Sequence, residues 1–174
     1  QSLSQQKLAD ESLQTAEEAL LKLPEGFDRT RNELMLGTIK AKARIARKQY
    51  SQAETDLERN LNLYSQQPFS ATALLSQSLM LLAQIYSETG RLKDANRKFT
   101  EAINVVEQDD EYMKSESFRV KFDDQRRELY DSAIEFEFKH GSLDAAWSYL
   151  QNYRAKLFLE FLAAFNPDIR STRV

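Results

Sequence analysis

Only four glycines and three prolines punctuate 174 residues. These are the residues that close tight turns and stop helices, and a many-stranded β fold or a Gly-rich phosphate loop needs more of them. Between the breaks, apolar side chains recur at helical steps. Leu3, Leu8, Ala9, Leu13, Ala16, Leu20 and Leu23 trace one face of a first helix. Pro24-Glu25-Gly26 ends it. A second helix is predicted from about Asp28, a candidate N-cap, to Arg47. A third follows the Lys48-Gln49 turn and carries Ala53, Leu57, Leu61 and Tyr64 on one side. Gln67-Pro68-Phe69-Ser70 reads as a loop, with Ser70 capping a fourth helix over about Ala71 to Thr89. Gly90-Arg91 turns the chain into a fifth, bearing Leu92, Ala95, Phe99, Ala102, Ile103 and Val106. The polar stretch from Asp109 to Phe122 reads as a long connection with room for one short helix. Asp123 is placed to cap a sixth helix ending at His140-Gly141, and a seventh runs from near Ser142 to about Ala164, where Asn166-Pro167 stops it. No Val/Ile/Thr alternation points to a strand, so the class is all-α with about seven helices.

Composition narrows the chemistry. Hydrophobic residues make up 41% and charged residues 29%, with a formal net charge of −3, the balance of a globular chain. No apolar run approaches the ~18–20 residues of a membrane span, so no membrane partner is expected. Zero cysteines remove thiol nucleophiles, thiolate metal sites and disulfides, and a single histidine removes multi-histidine metal sites. That histidine, His140, ends a helix and suits its dipole; as a general base it would need a nucleophile and an orienting partner that the sequence does not identify. Asp109-Asp110-Glu111 and Asp123-Asp124 lack the alternation and central Gly of a calcium loop. Glu17-Glu18 and the pair Glu135/Glu137 read as exposed helix charges. The expectation is a protein without enzymatic activity, metal or cofactor. The chain starts at Gln1 and Gln1–Gln6 carries no apolar signal segment, so it reads as a domain excised from a longer, cytoplasmic protein.

Helix pairs joined by short turns call for a search for internal repetition. The clearest unit contains Leu79, Leu82, Ala83, Tyr86, Gly90, Leu92, Ala95, Phe99 and Ala102. This spacing resembles the tetratricopeptide repeat, a helix–turn–helix unit with a small residue and then an aromatic in helix A, Gly at the turn, and Ala-x3-Phe-x2-Ala in helix B. Small residues at 83 and 95 would let the two helices approach, while Tyr86 and Phe99 would fill the space between units. Two degenerate copies flank it. Ala41, Tyr50, Ala53 and Leu57 match on the N-terminal side, with Arg44 and Lys48 at the aromatic and Gly positions. Gly141, Leu143, Ala146 and Leu150 match on the C-terminal side, with Ile134 and Glu137 departing from the pattern. Ala9, Leu13 and Ala16 look like helix B of a half repeat. Ala53, Ala95 and Ala146 are spaced by 42 and 51 residues, longer than the usual unit. The resemblance implies a half repeat over 1–23, helix pairs over 28–66, 71–108 and 123–164, and a short right-handed superhelix. An unrelated antiparallel bundle would bury the same stripes without leaving a groove.

The last helix is longer than an ordinary helix B, and its apolar face continues through Leu143, Trp147, Leu150, Tyr153, Leu157, Phe158, Phe161, Leu162 and Phe165. The part up to Tyr153 is expected to pack on helix six. Leu157, Phe158, Phe161, Leu162 and Phe165 would remain as an interface for a downstream domain of the same chain or a second copy, giving a homodimer. Gly141-Ser142-Leu143-Asp144-Ala145-Ala146-Trp147 followed by Tyr153-Arg154-Ala155-Lys156-Leu157-Phe158-Leu159-Glu160-Phe161-Leu162 resembles the last helix before a CHAT domain, a caspase-like peptidase module found behind tetratricopeptide arrays. The resemblance implies a regulatory arm whose protease lies beyond Val174.

In tetratricopeptide proteins ligands lie in a concave groove lined by the A helices. Counting from the matched alanines puts Thr38, Lys42 and Ile45 there from the first pair, Met80, Gln84 and Ser87 from the second, and Asp131, Glu135 and Phe138 from the third. The Lys and Asn set with which some members clamp a C-terminal carboxylate is not reproduced at these positions. Such a groove is mixed in charge and suits a peptide or protein segment. The alternative is a nucleic-acid-binding array using Lys40, Lys42, Arg44, Arg47 and Lys48 with Arg91, Lys93, Arg97 and Lys98. The acidic overall balance and the lack of an interleaved aromatic platform argue against it.

Overall fold

The structure, a computed structural model, describes residues 2–66, 72–108 and 116–165. Among the described residues there are seven helices and no strand: α1 (Ser2–Leu21), α2 (Phe27–Ala46), α3 (Tyr50–Gln66), α4 (Thr72–Glu88), α5 (Leu92–Gln108), α6 (Glu116–His140) and α7 (Leu143–Phe165). None is long and apolar enough to cross a membrane.

Helix starts differ from the sequence reading in two places. Asp28 lies in the first turn of α2, and Gly26 holds the N-cap position at φ 149°, ψ −170°, a conformation open to Gly alone. Asp123 lies inside α6, which begins seven residues earlier at Glu116. Without Gly or Pro in 116–122, an N-cap candidate does not by itself stop a helix from extending backward. Ser142 does cap α7, its Oγ accepting the Ala145 N–H at 3.0 Å. The loop at 67–70, the acidic run at 109–111 and the stop at Asn166-Pro167 lie outside the described residues.

The helices pack as pairs in chain order. The most extensive contacts are α2 with α3, α4 with α5 and α6 with α7. The first helices of the pairs, α2, α4 and α6 (the A helices), also touch in succession, α2 to α4 and α4 to α6, while α3 packs on α4 and α5 on α6. Helix α4 therefore stands at the centre, and its sequence is apolar nearly all round: Leu79, Met80, Leu81, Leu82, Ala83, Ile85 and Tyr86 are all buried. Helix α5 buries one stripe, Ala95, Phe99, Ala102, Ile103 and Val106, against it. Ala41, Ala53, Ala83, Ala95, Ala102 and Ala133 are fully buried, at the close approaches where a larger side chain would wedge the helices apart.

The first two turns inside the pairs are built alike, and the third differs from them. Lys48 stands at φ 59° and Gly90 at φ 75°. Beyond them the Gln49 N–H reaches the Arg44 carbonyl at 2.9 Å, and the Arg91 N–H reaches the Tyr86 carbonyl at 2.8 Å. In the third turn the Ser142 N–H is met at 3.2 Å by the carboxylate of Glu137, the residue standing in register with Arg44 and Tyr86. Four residues after each turn an alanine N–H returns to the turn carbonyl: Ala53 to Gln49, Ala95 to Arg91, Ala146 to Ser142.

Glu137 is thus no exposed helix charge. It is buried, takes a hydrogen bond from the Asn96 side-chain amide across the α5–α6 interface, and anchors the start of α7. A second buried polar knot joins α2, α3 and α4. Asn60 Nδ2 donates to the Leu34 carbonyl at 3.0 Å and lies 3.1 Å from Thr38 Oγ1 and 3.4 Å from Ser78 Oγ. Gly37 leaves the room: a methyl there would overlap Asn60 Oδ1.

Candidate functional site

Two surfaces carry chemistry that the core does not use: the outward side of the A helices and the end of the array formed by α6 and α7. On α2, α4 and α6 the packed sides are fixed by contacts with neighbours, and the remaining arc faces away from α3 and α5. Along α2 that arc carries Arg31, Met35, Ile39 and Lys42, all exposed. On α4 it narrows to Gln77 and Gln84, both half-buried. On α6 it carries Asp124, Glu128, Asp131 and Glu135 at steps of four, three and four residues, all exposed. The charge therefore runs from basic and apolar, through neutral amide, to acidic across three adjacent helices.

Of the nine groove residues expected from the repeat count, Lys42, Asp131, Glu135 and Phe138 are exposed. Gln84 and Ser87 are half-buried, and the Gln84 amide donates to Ser132 Oγ at 3.3 Å, tying α4 to α6. Thr38 and Met80 must be corrected. Each is 2% exposed, Thr38 held by its Leu34 carbonyl bond and Asn60, Met80 packed between α4 and α6. Ile45 is partly buried against the core. Thr38 faces Asn60 of α3 and is closed off from the open arc, while Met80 reaches the surface only at the floor of the crevice between α4 and α6. Met35, Ile39, Gln77, Asp124 and Glu128 occupy the open arc instead, and sequence counting missed them. The four-three-four spacing of the acidic residues was a legible signal.

Between α4 and α6 the surface dips into a shallow crevice of about 10 Å³ lined by Ser76, Gln77, Met80, Gln125, Glu128 and Leu129. It has room for about one water molecule. Oε1 of Gln125 is buried with no donor among the described residues.

The basic stretches are largely held by carboxylates. Lys40 pairs with Glu17, Arg44 with Asp56, Arg47 with Asp10 at 2.8 Å, and Lys98 with Glu101 at 2.6 Å. Arg91 forks both terminal nitrogens onto Glu54 at 2.8 and 2.7 Å while its guanidinium stacks 4.1 Å over the Tyr86 ring. That hydrogen bond holds the Glu54 carboxyl below the usual range. His140 lies exposed, its ring 5.6 Å from that of Phe136. Among the described residues no three His, Asp or Glu side chains are grouped to hold a metal ion.

At the α6–α7 end, Ala146 is buried and Tyr153 stacks on Tyr130 at 4.9 Å, so α7 packs on α6 through its Ala146–Tyr153 edge. Burial pushes the Tyr130 phenol well above its usual range, and its O–H donates a hydrogen bond to Glu107 at 2.6 Å. Leu143 and Trp147 do not join this contact, contrary to the expectation for the first half of the helix: they are 68% and 57% exposed. Leu157, Phe158 and Phe161 are exposed and Leu162 is half-buried; the side chain of Phe165 lies outside the described residues. Phe138, at the end of α6, is 70% exposed. Comparison of the chain with protein-family models, with curated proteins and with solved structures returns no match.

Proposed function

We propose that this chain is a protein–protein interaction module of tetratricopeptide type, with no catalysis of its own, which binds a peptide or protein segment across its A helices. The observation that carries the reading is a repeated start to the second helix of each pair: after Lys48-Gln49, Gly90-Arg91 and Gly141-Ser142 a buried alanine four residues on returns its N–H to the turn carbonyl. Recurring starts of this kind, with A helices touching in succession, support a stacked array of helix pairs whose A side is a continuous surface. Its partner is a segment with acidic or apolar groups toward α2 and basic groups toward α6, matching the exposed Arg31 and Lys42 on one side and Asp124, Glu128, Asp131 and Glu135 on the other. In the parent protein the module serves as the sensor arm of a CHAT-like protease, and α7 couples it to the downstream domain. The pairing of both basic stretches with carboxylates weighs against the nucleic-acid alternative.

The test is selection of phage-displayed random dodecapeptides on the purified chain. Enriched peptides should lose binding when Glu128→Lys and Glu135→Lys are combined, and keep it with Glu11→Lys on α1. Failure of any peptide to enrich would remove the groove reading.

A further inference from the structure

The open stripe on α7 has a counterpart inside the molecule whose partner is visible. On α5, Asn96 meets Glu137, Phe99 lies 5.3 Å from Phe136, and Glu107 accepts from Tyr130. As the numbers rise along α5 they fall along α6, so the two helices run antiparallel. Ala95 and Ala146 hold the same place in their pairs, 51 residues apart. The same step carries Asn96, Phe99 and Glu107 to Trp147, Leu150 and Phe158. On α7 these three share one face with Leu143, and Trp147 and Phe158 are 57% and 61% exposed. The α5 face that holds α6 is therefore repeated on α7 with its polar ends replaced by large apolar groups.

We infer that Leu143, Trp147, Leu150 and Phe158 form a docking face for one amphipathic α-helix, lying antiparallel to α7 in the place that α6 takes on α5. This deepens the module reading and rests on its repeat register. The substitutions state what the incoming helix carries. Opposite Asn96 and Glu107 the α6 residues are Glu137 and Tyr130, with polar atoms to match. Opposite Trp147 and Phe158 a carboxylate would be desolvated without a partner, so the occupant is apolar at the places of Tyr130, Ala133, Phe136 and Glu137. Phe138, exposed at the end of α6, borders the same end of the array.

Trp147 is the chain's single tryptophan and reports directly on this face. The probe is a lactam-stapled peptide copying residues 124–140 with Glu137→Leu, titrated into the chain while Trp147 emission is followed. A saturable blue shift is expected, with affinity reduced about tenfold or more in the Phe158→Asp chain and for a peptide carrying Phe136→Asp. No shift at any peptide concentration, or equal affinity in either control, would overturn the proposal. A concentration-dependent blue shift of the chain alone, coincident with dimer sedimentation, would make a second copy the occupant and also overturn it. The groove stands or falls separately, because dodecapeptide selection addresses α2, α4 and the other side of α6.

Discussion

At the scale of single residues, backbone conformation separates positions that look alike. Lys48 and Gly90 close the same turn, but a lysine at φ 59° bears a steric cost that glycine at φ 75° avoids. Lys48→Gly is expected to stabilise the chain by about 0.5–1 kcal/mol and Gly90→Ala to destabilise it by about 1 kcal/mol, read as opposite shifts of the urea midpoint. Asn60 gives a coupled case. Asn60→Ala should cost about 1–3 kcal/mol, and Gly37→Ala should cost a comparable amount by displacing the amide from its bonds. In the double variant the clash is gone, so the two costs should fall short of their sum; additive values in a double-mutant cycle would refute the packing argument. The repeat pattern shows Lys48 as an exception to Gly, but nothing in it says that Gly37 and Asn60, far apart in the chain, share one volume.

Helix starts and junctions form the next level. Glu137 replaces a backbone acceptor at the third turn, so Gly141→Ala, whose methyl would overlap that carboxylate, should disturb α7 before it disturbs α6. Faster amide exchange at 143–150 with α6 unchanged is the expected result. The turn between α4 and α5 is tied to α3 by Arg91 and Glu54. The folded carboxyl of Glu54 titrates below its unfolded value, so the pair stabilises above the ordinary carboxylate range and is lost as pH falls through the lowered value. Arg91 is 40% exposed and solvent screens the pair, so its worth is about 1 kcal/mol or less. Wild type should melt higher than Glu54→Gln at about pH 7, and the difference should vanish toward about pH 3. Helical periodicity located every one of these elements, while Asp28 and Asp123 show that an N-cap candidate names a possible start rather than the actual one.

Across the whole molecule, stability follows position in the stack. Helix α4 is enclosed by α2, α3, α5 and α6, whereas α1 touches α2 alone and leaves Leu8 and Leu21 exposed. In an array with nearest-neighbour interfaces the ends open first. Hydrogen exchange should therefore be slowest in α4 and α5 and fastest in α1, and deleting residues 1–22 should leave the α4–α5 protection pattern in place. Ala9 and Ala16 illustrate the reason: in register with buried alanines elsewhere, they are exposed, because no preceding A helix packs on them among the described residues.

The amino-acid sequence alone determined the helical class, the count of seven among the described residues and the positions of the turns inside the helix pairs, because helical periodicity and the residues that interrupt it act over a few neighbours in the chain. Which side of each helix stays open was a tertiary matter. Thr38 and Met80 fit the groove spacing as well as Lys42 and Gln84 did, and Trp147 fitted the packed stripe as well as Ala146. A step of three or four residues defines a helix face only to within about a quarter turn, and the neighbouring helix decides what part of that arc it covers. Glu137 makes the same point in reverse. It reads as one more surface carboxylate until Asn96 and the start of α7 close over it and supply the donors that make its burial tolerable.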